Sequence, residues 1–178
     1  MSSKIEKAMQ RVSKDSGSET STLPVDTRPR GADGIARMRE SDPLTPQAVT
    51  RMGVIHPASS TPTVVNAFRQ LRTSIMRRVG NRNFLMLMTG VSEGAGVSFM
   101  ARNLAAAVAM DETKTAVIID CNIADARTSD LFARGAPAQL GLTDYLEGDV
   151  DRGEAIIHET GIPRLRIVPV KYSVAQPR

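Results

Sequence analysis

The sequence predicts an α/β fold, a small parallel sheet with helices on its faces. Two short apolar runs, Phe84–Thr89 and Thr115–Ile119, each lead through a polar loop towards a helical pattern. A third apolar run, Leu165–Val170, follows. Strands alternating with helices argue for parallel pairing. Runs that are apolar throughout, not alternating, argue for burial on both faces.

The elements follow in order along 178 residues. Ile5, Met9 and Val12 sit at helical spacing, so residues 1–12 read as a short amphipathic helix. A helix this short is marginal in water alone. Residues 13–60 are rich in Ser, Thr, Gly and Pro and poor in bulky apolar groups. Such a stretch buries too little surface to offset its ordering entropy, and it reads as a flexible linker. Within it, Ile35–Glu40 and Pro46–Met52 read as weak helical turns. The folded domain is expected over 61–178. Thr61-Pro62 is a helix start, a capping residue before a proline at the first position. Val64, Phe68, Leu71, Ile75 and Val79 then form one stripe, ending near Gly80. Val97–Met110 is a second helix with Val97, Met100, Leu104 and Val108 on one side. Asp130–Phe132 reads as a helical turn, Thr143 as the cap of a helix through Glu147, and Asp151–His158 as a further helix.

Charge is unevenly spread. The net is +4, but residues 61–110 carry 6 basic groups and 1 acidic, whereas 111–178 carry 8 and 11. That points to a local basic site, not a coat for polyanions. One cysteine excludes a disulfide framework and a multi-cysteine zinc site. His56 and His158 stand alone, without metal-ligand spacing. No apolar run approaches the ~20 residues of a membrane span. The N-terminus lacks the apolar core of a secretory signal, so a cytoplasmic protein is expected.

The informative segment is Met88–Ser98, which runs strand, glycine-rich loop, helix. There, successive backbone N–H groups converge at a helix N-terminus, the usual seat of a phosphate. A nucleotide loop would place Gly, Lys and then Ser or Thr at its end. The lysine neutralises the terminal phosphates and the hydroxyl ligates magnesium. Gly94, Ala95, Gly96 and Ser98 fit, but Val97 holds the lysine position, and Glu93 adds a negative charge. The fold expectation is therefore P-loop NTPase-like, with the loop a vestigial phosphate site. The alternative is a plain strand-to-helix turn that binds nothing.

Four segments in this order, Asn66–Thr73, Thr89–Ser98 with Asn103-Leu104-Ala105, Val117–Asp120 and Gly141–Leu146, resemble the bacterial tyrosine kinase (BY-kinase) family of capsule and exopolysaccharide synthesis. The opening Met1–Ala8 is similar to its stand-alone cytoplasmic members. The resemblance implies a deviant-Walker ATPase fold, an ATP and magnesium site, and a membrane polysaccharide co-polymerase or sibling kinase as partner. It implies oligomerisation through Glu-x-x-Arg-x-x-Arg, which here reads Asn66, Arg69 and Arg72, leaving the two arginines as the expected protein contact. It implies an Asp-x-Asp second motif, which here reads Asp120 and Asn122. Ser98 and Asp120 would hold magnesium if any is bound. The third motif and the C-terminal tyrosine cluster do not follow; Tyr145 and Tyr172 are the two tyrosines. The expected sheet is thus incomplete at its C-terminal side, with an apolar edge open to another chain.

The charge changes fall on one chemistry. A lysine ammonium ~4 Å from a phosphate oxygen contributes about 1 kcal/mol in water and ~4 at intermediate dielectric. Valine contributes none of it. The leading expectation is a catalytically degenerate scaffold or regulator of polysaccharide assembly, cytoplasmic and peripheral at the inner membrane through its partner. The enzymatic alternative is an active ATP-dependent tyrosine kinase whose cation comes from Arg102, Arg127 or a partner. Cys121 reads as a small buried neighbour of Asp120, without a histidine to activate it. A partition-type or nucleic-acid-associated protein ranks last. The calculated pI of 9.6 prompts it, but few aromatics are available for stacking and no basic tract stands out, so no nucleic-acid partner is expected.

Overall fold

A computed structural model describes residues 35, 38–59, 61–80, 82–123, 127–133 and 140–170. The expected helix at 1–12 and the first part of the expected linker lie outside the described residues.

Residues 38–59 are not a flexible linker; they pack onto the domain. Helix α1 (Pro46–Arg51) is capped by Thr45, whose hydroxyl accepts from the Ala48 N–H at 3.2 Å. Val49, Val54 and Ile55 enter the core. Polar ties complete the seam: the Leu44 N–H donates to the Gly161 carbonyl at 2.8 Å. Glu40, its side chain fully buried, pairs with Arg166 and accepts from the Gly161 N–H at 3.1 Å. Composition counted only apolar residues, and could not register a segment held by three of them plus a buried ion pair.

Helix α2 (Pro62–Val79) has the expected limits, ending at Gly80 with φ 67°. It buries Val65 and Phe68, with Ile75 behind them, whereas Val64 and Leu71 face partly outward, so the contact stripe is rotated from the expected one. Helix α3 (Val97–Ala109) buries Leu104, Ala106, Ala107, Ala109 and Asn103, while Met100 is exposed. Alanines let neighbouring elements approach closely. The α2–α3 seam includes an edge-to-face pair, Phe68 and Phe99, with centroids 5.9 Å apart.

The sheet is small and mixed. Strand β1 (Ala116–Ile119) lies parallel to β3 (Leu165–Val168), pairing Ala116 with Leu165 and Ile119 with Val168. Strand β2 (His158–Glu159) runs antiparallel on the other side of β3, giving the order β1-β3-β2. The parallel expectation holds for β1 and β3 alone. The expected helix over Asp151–His158 is one 3₁₀ turn, Gly153–Ile156, followed by β2, because the chain turns to cover the open edge of β3. Between β1 and β3 come α4 (Arg127–Ala133), with Phe132 fully buried, and α5 (Leu142–Glu147). Gly141, not Thr143, caps α5, and Asp144 reaches back to accept from the Gly141 N–H at 2.7 Å.

The expected buried strand at Phe84–Thr89 is overturned. Among the described residues the run pairs with no strand, and Leu85 and Leu87 are 88% and 86% exposed. Apolar composition marks a segment that seeks cover; it does not supply the cover.

Candidate functional site

The loop Gly90–Gly96 joins the exposed run to α3. Gly94 and Gly96 have φ of 74° and 78°, a region that costs other residues strain. Gly96 caps α3 in this conformation and, being glycine, offers the first N–H groups of the helix no side-chain cap. To that extent the loop keeps the form of an anion cradle. Its interior is filled by its own atoms. A Cβ on Gly90 would lie 3.0 Å from a Val97 methyl, 3.1 Å from the Ala95 Cβ and 3.2 Å from the Ser92 carbonyl oxygen. The Ala95 N–H donates back to that Ser92 oxygen at 3.3 Å. So Val97 packs inward against the glycine that ends the apolar run, and one loop amide is committed to a turn. Ser98 is half-buried.

Asp120 follows β1 and is buried. Its carboxylate is engaged within the protein: Oδ2 accepts from the Ser129 N–H at 3.0 Å and hydroxyl at 2.6 Å, and Oδ1 accepts from the Asn122 N–H at 3.1 Å. Three of roughly four lone-pair positions are used. The Ser129 oxygen also accepts from the Val170 N–H at 2.9 Å. Asp120 and Ser129 thus fasten the ends of β1 and β3 to the start of α4. Asn122 is exposed, and so is Cys121, which corrects the expectation of a buried thiol.

Of the expected contact arginines, Arg69 is exposed and Arg72 is tied to the fold. Arg72 donates to the Ala107 carbonyl at 3.0 Å, and Arg164 to the Ala109 carbonyl at 2.9 Å. Both cations sit where the α3 dipole is negative. Arg102, the proposed substitute cation, is half-buried on α3; its Nε has no hydrogen-bond partner, and burial lowers its pKa. The Arg127 side chain lies outside the described residues. No group of three or more His, Cys, Asp or Glu among the described residues could hold a metal.

These residues do not fit magnesium ATP well. The loop lacks its cation, and the acidic group of the second motif is spent on Ser129 and Asn122. Sequence reasoning missed Ser129 and Asn103. Asn103, fully buried, accepts from the Ile55 N–H at 2.7 Å and donates to the Gly53 and Phe99 carbonyls at 3.0 and 2.9 Å. A polar residue on an otherwise apolar helix face was the available signal.

No helix among the described residues is long and apolar enough to cross a membrane. No protein-family model matches the chain, and no solved structure does. It is 37% identical over 102 residues to the tyrosine-protein kinase CpsD of Streptococcus agalactiae, covering 57% of this chain and 43% of that kinase. It is 31% identical over 115 residues to the tyrosine-protein kinase wzc of Salmonella typhi, covering 61% and 16%. It is 30% identical over 108 residues to the tyrosine-protein kinase etk of Escherichia coli K12, covering 60% and 14%. The chain therefore spans less than half the length of these curated relatives. Over the matched segment, it is similar to bacterial tyrosine-protein kinases.

Proposed function

We propose that this protein is a catalytically degenerate relative of the bacterial tyrosine kinases, a scaffold or regulator in capsule or exopolysaccharide synthesis. The observation that carries the reading is the packing of Val97 into the loop against Gly90, where a phosphate-binding lysine would project. The internal commitment of Asp120 supports it. Phosphoryl transfer relies on cations placed against developing phosphate charge, and these positions supply none. In this reading the protein is cytoplasmic and reaches the inner membrane through a membrane polysaccharide co-polymerase, or works beside a sibling kinase. Arg69 is the exposed member of the contact pair; Arg72 ties the helix that carries both to the C-terminal turn of α3.

The test is affinity capture of the full chain from its own cells, with an Arg69→Glu variant in parallel. Recovery of a chain-length co-polymerase or its kinase, lost in the variant, is expected. Recovery of neither would overturn the reading. A second reading, an active tyrosine kinase, draws on the similarity to tyrosine-protein kinases. Transfer of labelled phosphate from ATP to tyrosine by the purified chain would establish it in place of the first.

A further inference from the structure

We infer that residues 39–44 form a latch, which opens from the β2–β3 hairpin while α1 and the residues after it stay seated, so that this end detaches without unfolding the domain. The two halves of the segment 38–59 are held by different physics. Apolar burial holds the second half. Val49, Val54 and Ile55 lie in the core, and the Ile55 N–H donates to the fully buried Asn103 at 2.7 Å. The first half buries no apolar side chain completely. Arg39, Ser41, Asp42 and Pro43 are exposed, and Met38 and Leu44 are half-buried. The buried residue of this half is a glutamate, Glu40.

Polar fastenings of the first half converge on the hairpin. The Ser41 N–H donates to Glu159 at 2.8 Å, the Gly161 N–H to Glu40 at 3.1 Å and the Leu44 N–H to the Gly161 carbonyl at 2.8 Å. Arg166, its side chain 12% exposed, pairs with Glu40. In a buried pair the mutual attraction is largely offset by the hydration both ions gave up. Opening returns that hydration, and each hydrogen bond is exchanged for one to water. Little apolar surface is uncovered. Openings of low free energy arise where few apolar contacts must break. Glu159 faces Arg166 across the β2–β3 pair, 3.9 Å away, so the guanidinium keeps a counter-charge when Glu40 leaves. The boundary is local as well. Thr45 caps α1 and Pro46 begins it, so the helix holds its own first turn once the latch is open.

Native-state hydrogen exchange of the full chain, at urea concentrations below its unfolding transition, is the test. The Ser41, Leu44 and Gly161 amides should exchange about a hundredfold faster than those of Ala116 and Asp120, which tie β1 to β3. Their rates should be nearly flat in urea, because the opening exposes little surface, whereas those of Ala116, Asp120 and Ile55 should climb. Ile118→Val trims the buried core outside the latch. It should speed exchange at Ala116 and Asp120 roughly two- to tenfold and leave the three latch amides unchanged. Glu40→Gln should raise the latch rates at least about tenfold, with the flat urea response kept. Latch amides that share the urea slope of Asp120, that follow Ile118→Val or that ignore Glu40→Gln would each overturn the inference. So would an Ile55 amide as fast and as flat as Ser41, since the whole segment would then leave as one.

Discussion

Replacing Val97 with lysine should recreate a nucleotide site at a small cost to the fold. The new ammonium could reach a phosphate held by the α3 N-terminus. At ~4 Å, its attraction is about 1 kcal/mol in bulk water and ~4 kcal/mol at intermediate dielectric. Those limits correspond to roughly fivefold and roughly a thousandfold in affinity. Two opposing effects are smaller. Val97 packs a methyl against the Gly90 backbone, and losing one such group costs about 0.8 kcal/mol. A cation at a helix N-terminus costs a further ~0.3–1 kcal/mol until an anion arrives. The unliganded variant should therefore be about 1–2 kcal/mol less stable, yet bind ATP at least several-fold more tightly. Titration with a fluorescent ATP analogue, with thermal melting of both proteins, measures both quantities. Micromolar, magnesium-dependent binding by the unmodified chain would refute the reasoning. So would a lysine variant that is folded but gains no affinity.

The polar ties of the core give sharper stability effects. Asn103→Leu leaves the Ile55 N–H and the Gly53 carbonyl without their partner. At ~1–3 kcal/mol for each buried orphan, urea unfolding should show about 2–6 kcal/mol lost, and hydrogen exchange at Ile55 should accelerate before that in β3. Ser129→Ala removes the hydroxyl shared by Asp120 and the Val170 N–H. About 1–3 kcal/mol of stability should go, read as a melting temperature lower by ~2–4 °C per kcal/mol for a chain of this size. The Ser41 N–H holds the Glu159 pKa below the usual carboxylate range. That stabilisation is complete above the ordinary glutamate pKa and is lost as pH falls through the depressed one. Melting curves against pH should therefore fall less steeply on the acid side in Glu159→Gln than in the unmodified chain.

Local chemistry made the helices legible. Thr61-Pro62 and Gly80 bracket α2, and the alanine-rich stretch after Gly96 is α3 to within a residue. The strands at Ala116 and Leu165 were also legible, because two β-rich runs of matching length pair directly. Non-local contacts were not. Nothing around Val54-Ile55 announces that Asn103, 48 residues on from Ile55, accepts its amide. Glu40 and Arg166 are separated by 126 positions, and neither has a local pattern that joins them. The Phe84–Thr89 run failed in the opposite sense. Its composition is that of an interior strand, but burial belongs to the neighbours a segment finds, and among the described residues it finds none on either edge.

The candidate site shows why letters at matched positions do not settle chemistry. Asp120 keeps the letter expected of the second motif, yet its oxygens hold Ser129 and the Asn122 amide. A carboxylate that both ligates magnesium and fastens α4 would have to give up part of one task. With Asn122 in place of a second aspartate, no neighbouring carboxylate in the motif shares that load. The charge that remains stabilises the junction of β1, β3 and α4 regardless of nucleotide. In the proposed reading, Val97 at the lysine position and Asn122 at the second aspartate position remove catalysis without removing the fold. A scaffold on that reading can retain the first segment of the resemblance, including exposed Arg69, because that segment rests on helix packing and not on bound phosphate.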